Sequence, residues 1–270
     1  MSFVLRRGAE DAAVLDGLPP PLSAAQLRDF ERDGFLVLRG QFDAAAMAAV
    51  DRWTRDLAVA PRVSGRHWVY HETSRNDPGA QLVQRIENFC PFHPDYDRFI
   101  RQGKLIELIS ALFGEPAVLF KEKINFKMPG GTGFKPHQDQ QAGWTRYASL
   151  FVTALVSVDA TTLENGCLEI AARRSGQGMI GDEWRPLDAA DAVRLGLEPV
   201  TTAPGDVILF DSFVPHASKD NLTDAPRRVL YLTYNRRSEG DHRARYYADK
   251  HEAFPPDIDR VPGRDYVFRV

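Results

Sequence analysis

The first part of the chain carries apolar residues at helical spacing. Ser23 and Gln26 form a capping-box signature, which predicts a helix that ends at Gly34. Asp43 is placed to cap a second helix, because apolar residues then recur every three or four positions. The predicted buried stripe of this second helix consists of Met47, Val50, Thr54 and Leu57.

The segments up to residue 116 differ in how clearly their sequence predicts secondary structure. Residues 35–38 form a short apolar run that predicts a buried strand. Residues 61–94 contain four prolines and little periodicity, so we expect an irregular segment there. A third helix is predicted from Asp95 to Phe113, with Pro116 shortly after its end.

After residue 117 the pattern changes to short strands separated by turns. Residues 118–127 alternate, and one face of the predicted strand consists of Phe120, Ile124 and Phe126. The opposite face consists of Lys121, Lys123, Asn125 and Lys127. This second face is either solvated or lines a polar cavity.

Further strands follow at short intervals. Residues 149–158 are apolar on both faces, as in a strand that is covered on both sides. Asn165-Gly166 predicts a hairpin turn, and strands are expected at 207–210 and 228–234. Many short strands with turn signals favour a sandwich or a barrel. The predicted fold class is therefore mainly β with N-terminal helices.

Composition narrows the class of protein. Apolar residues make up 43% and charged residues 26% of the 270 residues, which is ordinary for a soluble globular protein. The net charge of −3 argues against a nucleic-acid partner or a polybasic membrane anchor. Two distant cysteines, the lack of a signal-peptide pattern and the lack of an apolar run of membrane-spanning length predict a cytoplasmic protein. No oligomeric state is predicted.

Two His-x-Asp triplets are present, and about one is expected by chance in a chain of this composition. His93 and Asp95 lie where the third helix is predicted to begin, so we interpret that triplet as a helix cap. His137 and Asp139 follow a strand instead. Alternation places their side chains on the same side of an extended backbone, where both can reach one metal ion.

A metal site needs a third ligand, and His216 is the best placed histidine, since it follows the predicted strand 207–210. Taken alone, His216 is better interpreted as an ordinary loop histidine. Two histidines and one carboxylate form the facial triad of non-haem Fe(II) oxygenases, which leaves positions open for an oxidant and a cosubstrate. His137, Asp139 and His216 are therefore the candidate iron ligands.

Two arginines begin the last predicted strand, Arg227 and Arg228. An arginine at a strand start is usually surface charge. Beside an iron, however, a fixed guanidinium is suited to the far end of a dicarboxylate cosubstrate, because its planar fork binds a carboxylate through two hydrogen bonds. A shift of one residue in register exchanges the two faces of a strand, so the choice between the two arginines stays open at this point.

The ordered motifs resemble a known family. The segments GTGFKPHQD, GDVILFDSFVPHASKDN and PRR, together with FERDGFLVLRG and LENGCLEI, resemble the phytanoyl-CoA dioxygenase-like branch of the Fe(II)/2-oxoglutarate dioxygenases over most of residues 25–237. KINFK followed by HQD is similar to ectoine hydroxylase and to bacterial phosphonate hydroxylases of this branch. The C-terminal YYADKHEAFPPDIDR is most similar to the phosphonate hydroxylases.

The resemblance implies a single domain over residues 1–270 with a double-stranded β-helix (a cupin-like jelly roll). Its parts would be a mostly helical region (1–116), the jelly-roll core (117–237) and a C-terminal tail (238–270). It also implies Fe(II) at the three candidate ligands, with 2-oxoglutarate as cosubstrate and O2 as oxidant. The residues that it implies for 2-oxoglutarate are Arg227, Ser218 and Asn125.

Other site residues are less specific. Lys121 stands where ectoine hydroxylase-like sequences carry glutamine, so it would contact either substrate or cosubstrate. Trp144 is a further candidate contact, while Thr153 and Leu155 either face the cavity or belong to the core. Residues 65–77 are rich in polar and aromatic groups, and they form either a loop that closes over a small charged molecule or a solvated loop.

The predicted reaction is the hydroxylation of an unactivated C–H bond of a small polar molecule, with release of succinate and CO2. The lysine-rich strand face and the basic cluster of Arg66, His67 and His71 favour an anionic or zwitterionic substrate, such as a phosphonate, amino acid or betaine. The alternatives are hydroxylation, desaturation or cyclisation of a natural-product intermediate and, more distantly, a non-catalytic cupin-like binding protein. A structural zinc site is disfavoured, because such sites more often use cysteine or a fourth ligand.

Overall fold

The computed structural model describes residues 20–173 and 178–267, and the strands in these residues form two antiparallel sheets. The large sheet consists, in spatial order, of β1 (Phe35–Leu38), β9 (Val207–Asp211), β6 (Phe151–Ser157), β11 (Arg227–Arg236), β4 (Ala117–Lys127), β3 (Gln81–Glu87) and β2 (Trp68–Thr73). The small sheet consists of β5 (Phe134–His137), β10 (His216–Ser218), β7 (Leu168–Ile170) and β8 (Glu198–Val200). All neighbouring strands in both sheets are antiparallel. Several of the pairs join strands that are far apart in the sequence, such as β1 with β9 and β4 with β11.

Six α-helices complete the described part of the chain: α1 (Ala24–Asp33), α2 (Ala44–Val59), α3 (Pro94–Arg101), α4 (Lys104–Phe113), α5 (Ala189–Leu195) and α6 (Arg243–Ala253). Ser23 caps α1 through a capping box, and Asp43 caps α2, as the sequence predicts. The apolar sides of α1 to α4 share one core with the outer face of the large sheet. No helix within the described residues is long and apolar enough to cross a membrane.

Side-chain alternation along β11 separates two cores. Leu230 and Leu232 pack with the helices on the outer face of the large sheet. Val229 and Tyr231, which point the other way, pack between the two sheets with Ile170 of β7. The sheets therefore face each other across an apolar layer, as expected for the predicted double-stranded β-helix.

Residues 61–94 differ from the prediction. They form β2 and β3, which extend the large sheet through antiparallel pairing of β3 with β4. The middle of the segment 65–77 is therefore strand (Trp68–Thr73) rather than a loop over the site. The prolines that suggested irregular structure, such as Pro61 and Pro78, lie outside these strands. Pairing with a long neighbouring strand outweighs the weak local pattern.

The third helix also differs, because it is two helices. Gln102 is extended, with φ −133°, and Gly103 follows with φ +68°, which is favourable only for glycine. The chain therefore turns between α3 and α4, although the apolar spacing continues through the break.

Two strand details depart from simple alternation. A β-bulge places one extra residue, Phe120, in β4 opposite Thr233 and Tyr234 of β11. Phe120 consequently packs in an aromatic cluster with Trp144 rather than beside Ile124. The predicted turn at Asn165-Gly166 is present, but it leads from the large sheet to the small one, so β6 and β7 form no hairpin.

Candidate metal centre and its cavity

The two histidines and the aspartate predicted as ligands lie together at one end of the small sheet. His137 ends β5, His216 begins β10, and the two residues are register partners in the sheet. Asp139 begins the short 3-10 helix Asp139–Ala142. One ligand atom from each of the three residues lies within 4.8 Å of the other two, which is close enough to surround a single ion.

Hydrogen bonds fix the orientation of both imidazole rings. Nδ1 of His137 lies 2.7 Å from the carbonyl oxygen of Lys135, and Nδ1 of His216 lies 3.0 Å from that of Val214. A protonated Nδ1 donates to each carbonyl, so the lone pair of each ring is left on Nε2. This is the tautomer that a metal ligand requires.

The charge states of the ligands also suit a metal ion. Burial, together with the neighbouring His216, lowers the pKa of His137 to about 3, and burial also lowers the pKa of His216. Burial alone would raise the pKa of Asp139, but His216 and the nearby Lys121 outweigh it and lower that pKa. Two neutral imidazoles and one carboxylate result, and this donor set fits Fe(II) with open positions.

The aspartate is supported from β6. Thr153 Oγ1 donates a hydrogen bond of 3.4 Å to Asp139 Oδ2 and lies 2.9 Å from Thr233 Oγ1. Thr153 therefore faces the metal centre. Leu155, two residues further along the strand, packs with Phe210 in the layer between the sheets.

A second polar site lies at the start of β11. Arg227 is only 1% exposed, its Nη2 donates to the carbonyl oxygen of Gly166, and its Nε has no partner among the described residues. Beside it, Lys127 Nζ donates to Ser218 Oγ at 2.9 Å and to the same carbonyl at 3.2 Å. Burial and the adjacent guanidinium lower the pKa of Lys127 to about 6. Two buried basic side chains thus converge on a site that contains no carboxylate among these contacts.

Glycine is required at position 166. Its φ is +73°, and a Cβ there would lie 2.1 Å from the backbone oxygen of Lys219 and 2.8 Å from Lys127 Nζ. The turn that the sequence indicated therefore serves to bring a backbone carbonyl against both buried basic side chains.

The neighbouring Arg228 points to the other face of the large sheet. Its guanidinium donates to Asp159 at 2.7 and 2.8 Å and lies 2.8 Å from Asp51 of α2. Asn125, which shares the inner face with Lys127, is buried, and its Oδ1 has no partner among the described residues.

A cavity of about 440 Å³ opens beside the metal centre. Its charged and aromatic walls include Arg85, Glu87, Lys121, Lys123, His137, Asp139, Trp144, Tyr147, Tyr246 and Lys250. Lys121 and Trp144, two predicted contacts, both line it. Lys121 Nζ lies 4.1 Å from the centre of the Trp144 ring, which is a cation–π distance.

Two of the three lysines of the cavity wall lack anionic partners among the described residues. Within residues 20–173 and 178–267, neither Lys121 nor Lys123 forms an ion pair with a carboxylate. Burial lowers the pKa of both lysines, and the positive charge of Lys123 lowers the pKa of Lys121 further. A ligand that brings negative charge would stabilise the ammonium forms.

The predicted basic cluster does not contribute to this cavity. His71 Nδ1 lies 2.7 Å from Asp257, and Arg66 lies over the ring of Phe92. His67 is buried elsewhere, with its pKa lowered by that burial. Of the three residues only His71 lies in β2, and none of them lines the cavity.

The cavity residues that the sequence did not indicate include three charged ones, Arg85, Glu87 and Lys250. Arg85 and Glu87 alternate around the buried Ile86, a short strand signal that the surrounding prolines obscured. Lys250 lies on α6, in the segment assigned only to a C-terminal tail.

The second His-x-Asp triplet is a helix cap, as predicted. His93 is the N-cap of α3, and its Nδ1 accepts a hydrogen bond of 3.3 Å from the backbone N–H of Tyr96. Asp95 lies in the first turn of that helix, where a carboxylate favours the helix dipole.

Comparison with known proteins gives consistent results. The chain is 40% identical over 242 residues to a 2-aminoethylphosphonate dioxygenase from an uncultured bacterium, covering 89% of this chain and 92% of that protein. It is 37% identical over 234 residues to a methylphosphonate hydroxylase from Gimesia maris, covering 86% and 88%. Among solved structures, EctD from S. alaskensis with 2-oxoglutarate and 5-hydroxyectoine matches with a TM-score of 0.69 and 26% identity, covering 81% of this chain and 78% of that one.

The predicted enzyme class, an iron- and 2-oxoglutarate-dependent dioxygenase, is confirmed by these relatives together with the His-Asp-His cluster. The family model described as phytanoyl-CoA dioxygenase (PhyH) matches residues 30–229. The chain therefore belongs to the phytanoyl-CoA dioxygenase family.

Proposed function

We propose that this dioxygenase hydroxylates a C–H bond of a small phosphonate, such as a 2-aminoalkylphosphonate, with conversion of 2-oxoglutarate to succinate and CO2. One oxygen atom of O2 enters the hydroxyl group and the other enters succinate, so the reaction balances without an external reductant. The observation that carries the proposal is the surplus of basic side chains over carboxylates among the more deeply buried residues of the cavity beside the metal centre.

In this proposal His137, Asp139 and His216 hold Fe(II). When bound, Fe(II) and 2-oxoglutarate supply the oxidising chemistry that an unactivated C–H bond requires. The protein holds the ligands in the correct tautomer and charge state. The aromatic wall around Trp144 and Tyr147 limits access of water to the reacting carbon.

We assign the far carboxylate of 2-oxoglutarate to the buried site at the start of β11. Arg227 has an unpartnered Nε there, and Ser218 Oγ on the neighbouring sheet contacts the adjacent Lys127 Nζ. Lys127 adds a second donor, and the buried Asn125 on the same strand face offers the NH2 group of its side-chain amide as a further donor. Arg228 is unsuited to this role because two aspartates already neutralise it on the outer face.

The Lys127 assignment predicts a pH dependence. With a pKa of about 6, Lys127 is mostly neutral at pH 8 in the free protein, so binding of the dicarboxylate must then be accompanied by proton uptake. The dissociation constant of 2-oxoglutarate is expected to rise with pH above about 6, by at most about tenfold per unit. In Lys127→Met the dissociation constant should be higher than in the wild type at pH 6 and nearly independent of pH.

This dependence is measured by calorimetric titration of 2-oxoglutarate into the anaerobic iron-loaded protein between pH 6 and 8. Lys219→Met is a matched control, since Lys219 is an exposed lysine that pairs with Glu169. Equal slopes for the wild type and Lys127→Met would show that Lys127 does not bind the cosubstrate.

The substrate class follows from the charges around the metal centre. Among the more deeply buried lining residues there are four basic side chains, Arg85, Lys121, Lys123 and Lys250, and two carboxylates, Glu87 and Asp139. The other charged lining residues, Arg146, Asp249 and Asp265, are more exposed to solvent. Bound Fe(II) would add positive charge, while 2-oxoglutarate directs one of its carboxylates to the separate site at Arg227. Buried charge without a counter-ion is costly, so the cavity favours a substrate with more than one negative charge. The names of the two phosphonate-oxidising relatives agree with this assignment.

The function is tested by measuring 2-oxoglutarate consumption with Fe(II) and O2 across a substrate panel. The panel should contain 2-aminoethylphosphonate, methylphosphonate, their carboxylate analogues, ectoine and a lipophilic natural-product-like compound. Consumption is expected to be stimulated most by a phosphonate. Stimulation only by the lipophilic compound would favour the natural-product alternative, and no stimulation with tight phosphonate binding would favour a binding protein.

A further inference from the structure

Lys250 is a cavity residue that comes from outside the jelly roll. It lies on α6, near the C-terminal end of that helix, and its side chain is 13% exposed. Its Nζ donates a hydrogen bond to Glu87 Oε2 on β3. Burial lowers the pKa of Lys250 to about 8, although the Glu87 carboxylate acts in the opposite direction.

Glu87 also holds a second cation at the same place. Arg85 Nε lies 2.9 Å from Glu87 Oε1, and its guanidinium lies 4.4 Å from the centre of the Tyr70 ring. Glu87 is itself buried, and although burial would raise its pKa, Lys250 and Arg85 lower that pKa to about 2. One permanently ionised carboxylate therefore fixes two cations that both border the cavity.

The attachment of α6 to the protein does not depend on Lys250 alone. At the start of the helix, Arg243 Nη2 donates to Glu122 Oε1 at 2.6 Å and to Asn88 Oδ1 at 2.8 Å. Tyr247 OH donates to the backbone oxygen of Glu122 at 3.1 Å. These contacts lie outside the cavity lining, so the helix has structural anchors that are distinct from its cavity residue.

Burying the charge of a lysine costs desolvation free energy, and other contacts already hold α6 in place. A positive charge at this position is useful if an anion enters the cavity, because the ammonium can then donate to Glu87 and to the anion at once. Lys121 lies on the same cavity wall and is close enough to Lys250 for the two charges to affect each other. An anion placed among Lys121, Lys250 and Arg85 would contact donors from β4, α6 and β3.

We infer that Lys250 and Arg85 bind the phosphonate group of the substrate, with Glu87 as the positioning residue, and that α6 thereby selects a dianion over a monoanion. This inference rests on the proposed function. A phosphonate presents three oxygens and close to two charges at neutral pH, which match several separate donors. A carboxylate presents two oxygens and one charge, and it leaves part of this cationic site without a partner.

The test compares binding of 2-aminoethylphosphonate and of its carboxylate analogue β-alanine to the anaerobic protein with Fe(II) and 2-oxoglutarate. We expect Lys250→Met to raise the dissociation constant of the phosphonate about 10- to 100-fold, the range for losing one charge-assisted hydrogen bond. Lys250→Arg should retain most of the affinity. The preference for phosphonate over β-alanine should fall in Lys250→Met, while the affinity for 2-oxoglutarate should stay unchanged.

Arg243→Met is the matched control, because it loosens α6 without removing a cavity charge. It is expected to lower the melting temperature and to leave the phosphonate preference intact. If Lys250→Met proves too unstable to assay, Lys250→Gln, which keeps a hydrogen-bond donor toward Glu87 but removes the charge, serves in its place.

Wild-type affinity in Lys250→Met, or an equal loss of phosphonate preference in Arg243→Met, would overturn this inference and leave the proposed function intact. A wild-type protein that binds no phosphonate would overturn the proposed function, and this inference with it.

Discussion

Replacement of His216 by alanine is expected to lower Fe(II) affinity more than about 100-fold and to abolish turnover. Loss of a residue that hydrogen-bonds to a metal ligand lowers metal affinity roughly 10- to 100-fold. Loss of one of the three ligands themselves should lower it further. His216 is also the register partner of His137, so no other described histidine is placed to substitute for it. Anaerobic titration with Fe(II), monitored by calorimetry, measures the change in affinity.

His93→Ala is the control for this prediction. It removes the histidine of the other His-x-Asp triplet, which caps α3, so it should reduce stability by about 1 kcal/mol and leave iron affinity unchanged. If His216→Ala bound iron as the wild type does, His216 would have to be removed from the site.

Replacement of Arg227 by methionine is expected to raise the apparent constant for 2-oxoglutarate about 10- to 150-fold. A charge-assisted hydrogen bond in a largely dry pocket contributes about 1.5–3 kcal/mol, which corresponds to that range. Methionine retains much of the apolar volume of the arginine stem, so the change mainly removes the guanidinium. Initial rates of succinate formation at varied 2-oxoglutarate concentration give the constant.

Arg228→Met separates this role from a general effect on the strand. Arg228 pairs with Asp159 and Asp51 on the opposite face, so its loss should lower the melting temperature without altering the 2-oxoglutarate constant. If Arg228→Met were the change that raised the constant, the assignment of the two faces of β11 would be reversed.

The candidate metal centre could be recognised from the sequence because its chemistry is largely local. His137 and Asp139 are two residues apart, and strand geometry alone places them on one side of the chain. The helix-capping position of His93 is equally local. Choosing between Arg227 and Arg228 required the observed register, since the sequence pattern of the strand is compatible with either face.

The substrate end of the cavity could not be predicted in the same way. Lys250 and Glu87 are 163 residues apart and meet only because β3 joins the large sheet and α6 packs beside it. Neither event has a strong local signal. The prolines near β3 suggested irregular structure, and α6 lies in a segment that was interpreted only as a tail. The sequence therefore indicates Arg66 and His71 as the basic residues near the substrate, whereas the structure places Arg85 and Lys250 in the cavity.

The most direct measurement of the central claim is phosphorus NMR of 2-aminoethylphosphonate incubated with the protein, Fe(II), 2-oxoglutarate and O2, with succinate measured in parallel. We predict a new phosphorus resonance of a hydroxylated phosphonate that grows in a one-to-one ratio with succinate and is absent in His216→Ala. Succinate formation with an unchanged phosphorus spectrum, for this compound and for methylphosphonate, would contradict the assignment of the cavity to phosphonates.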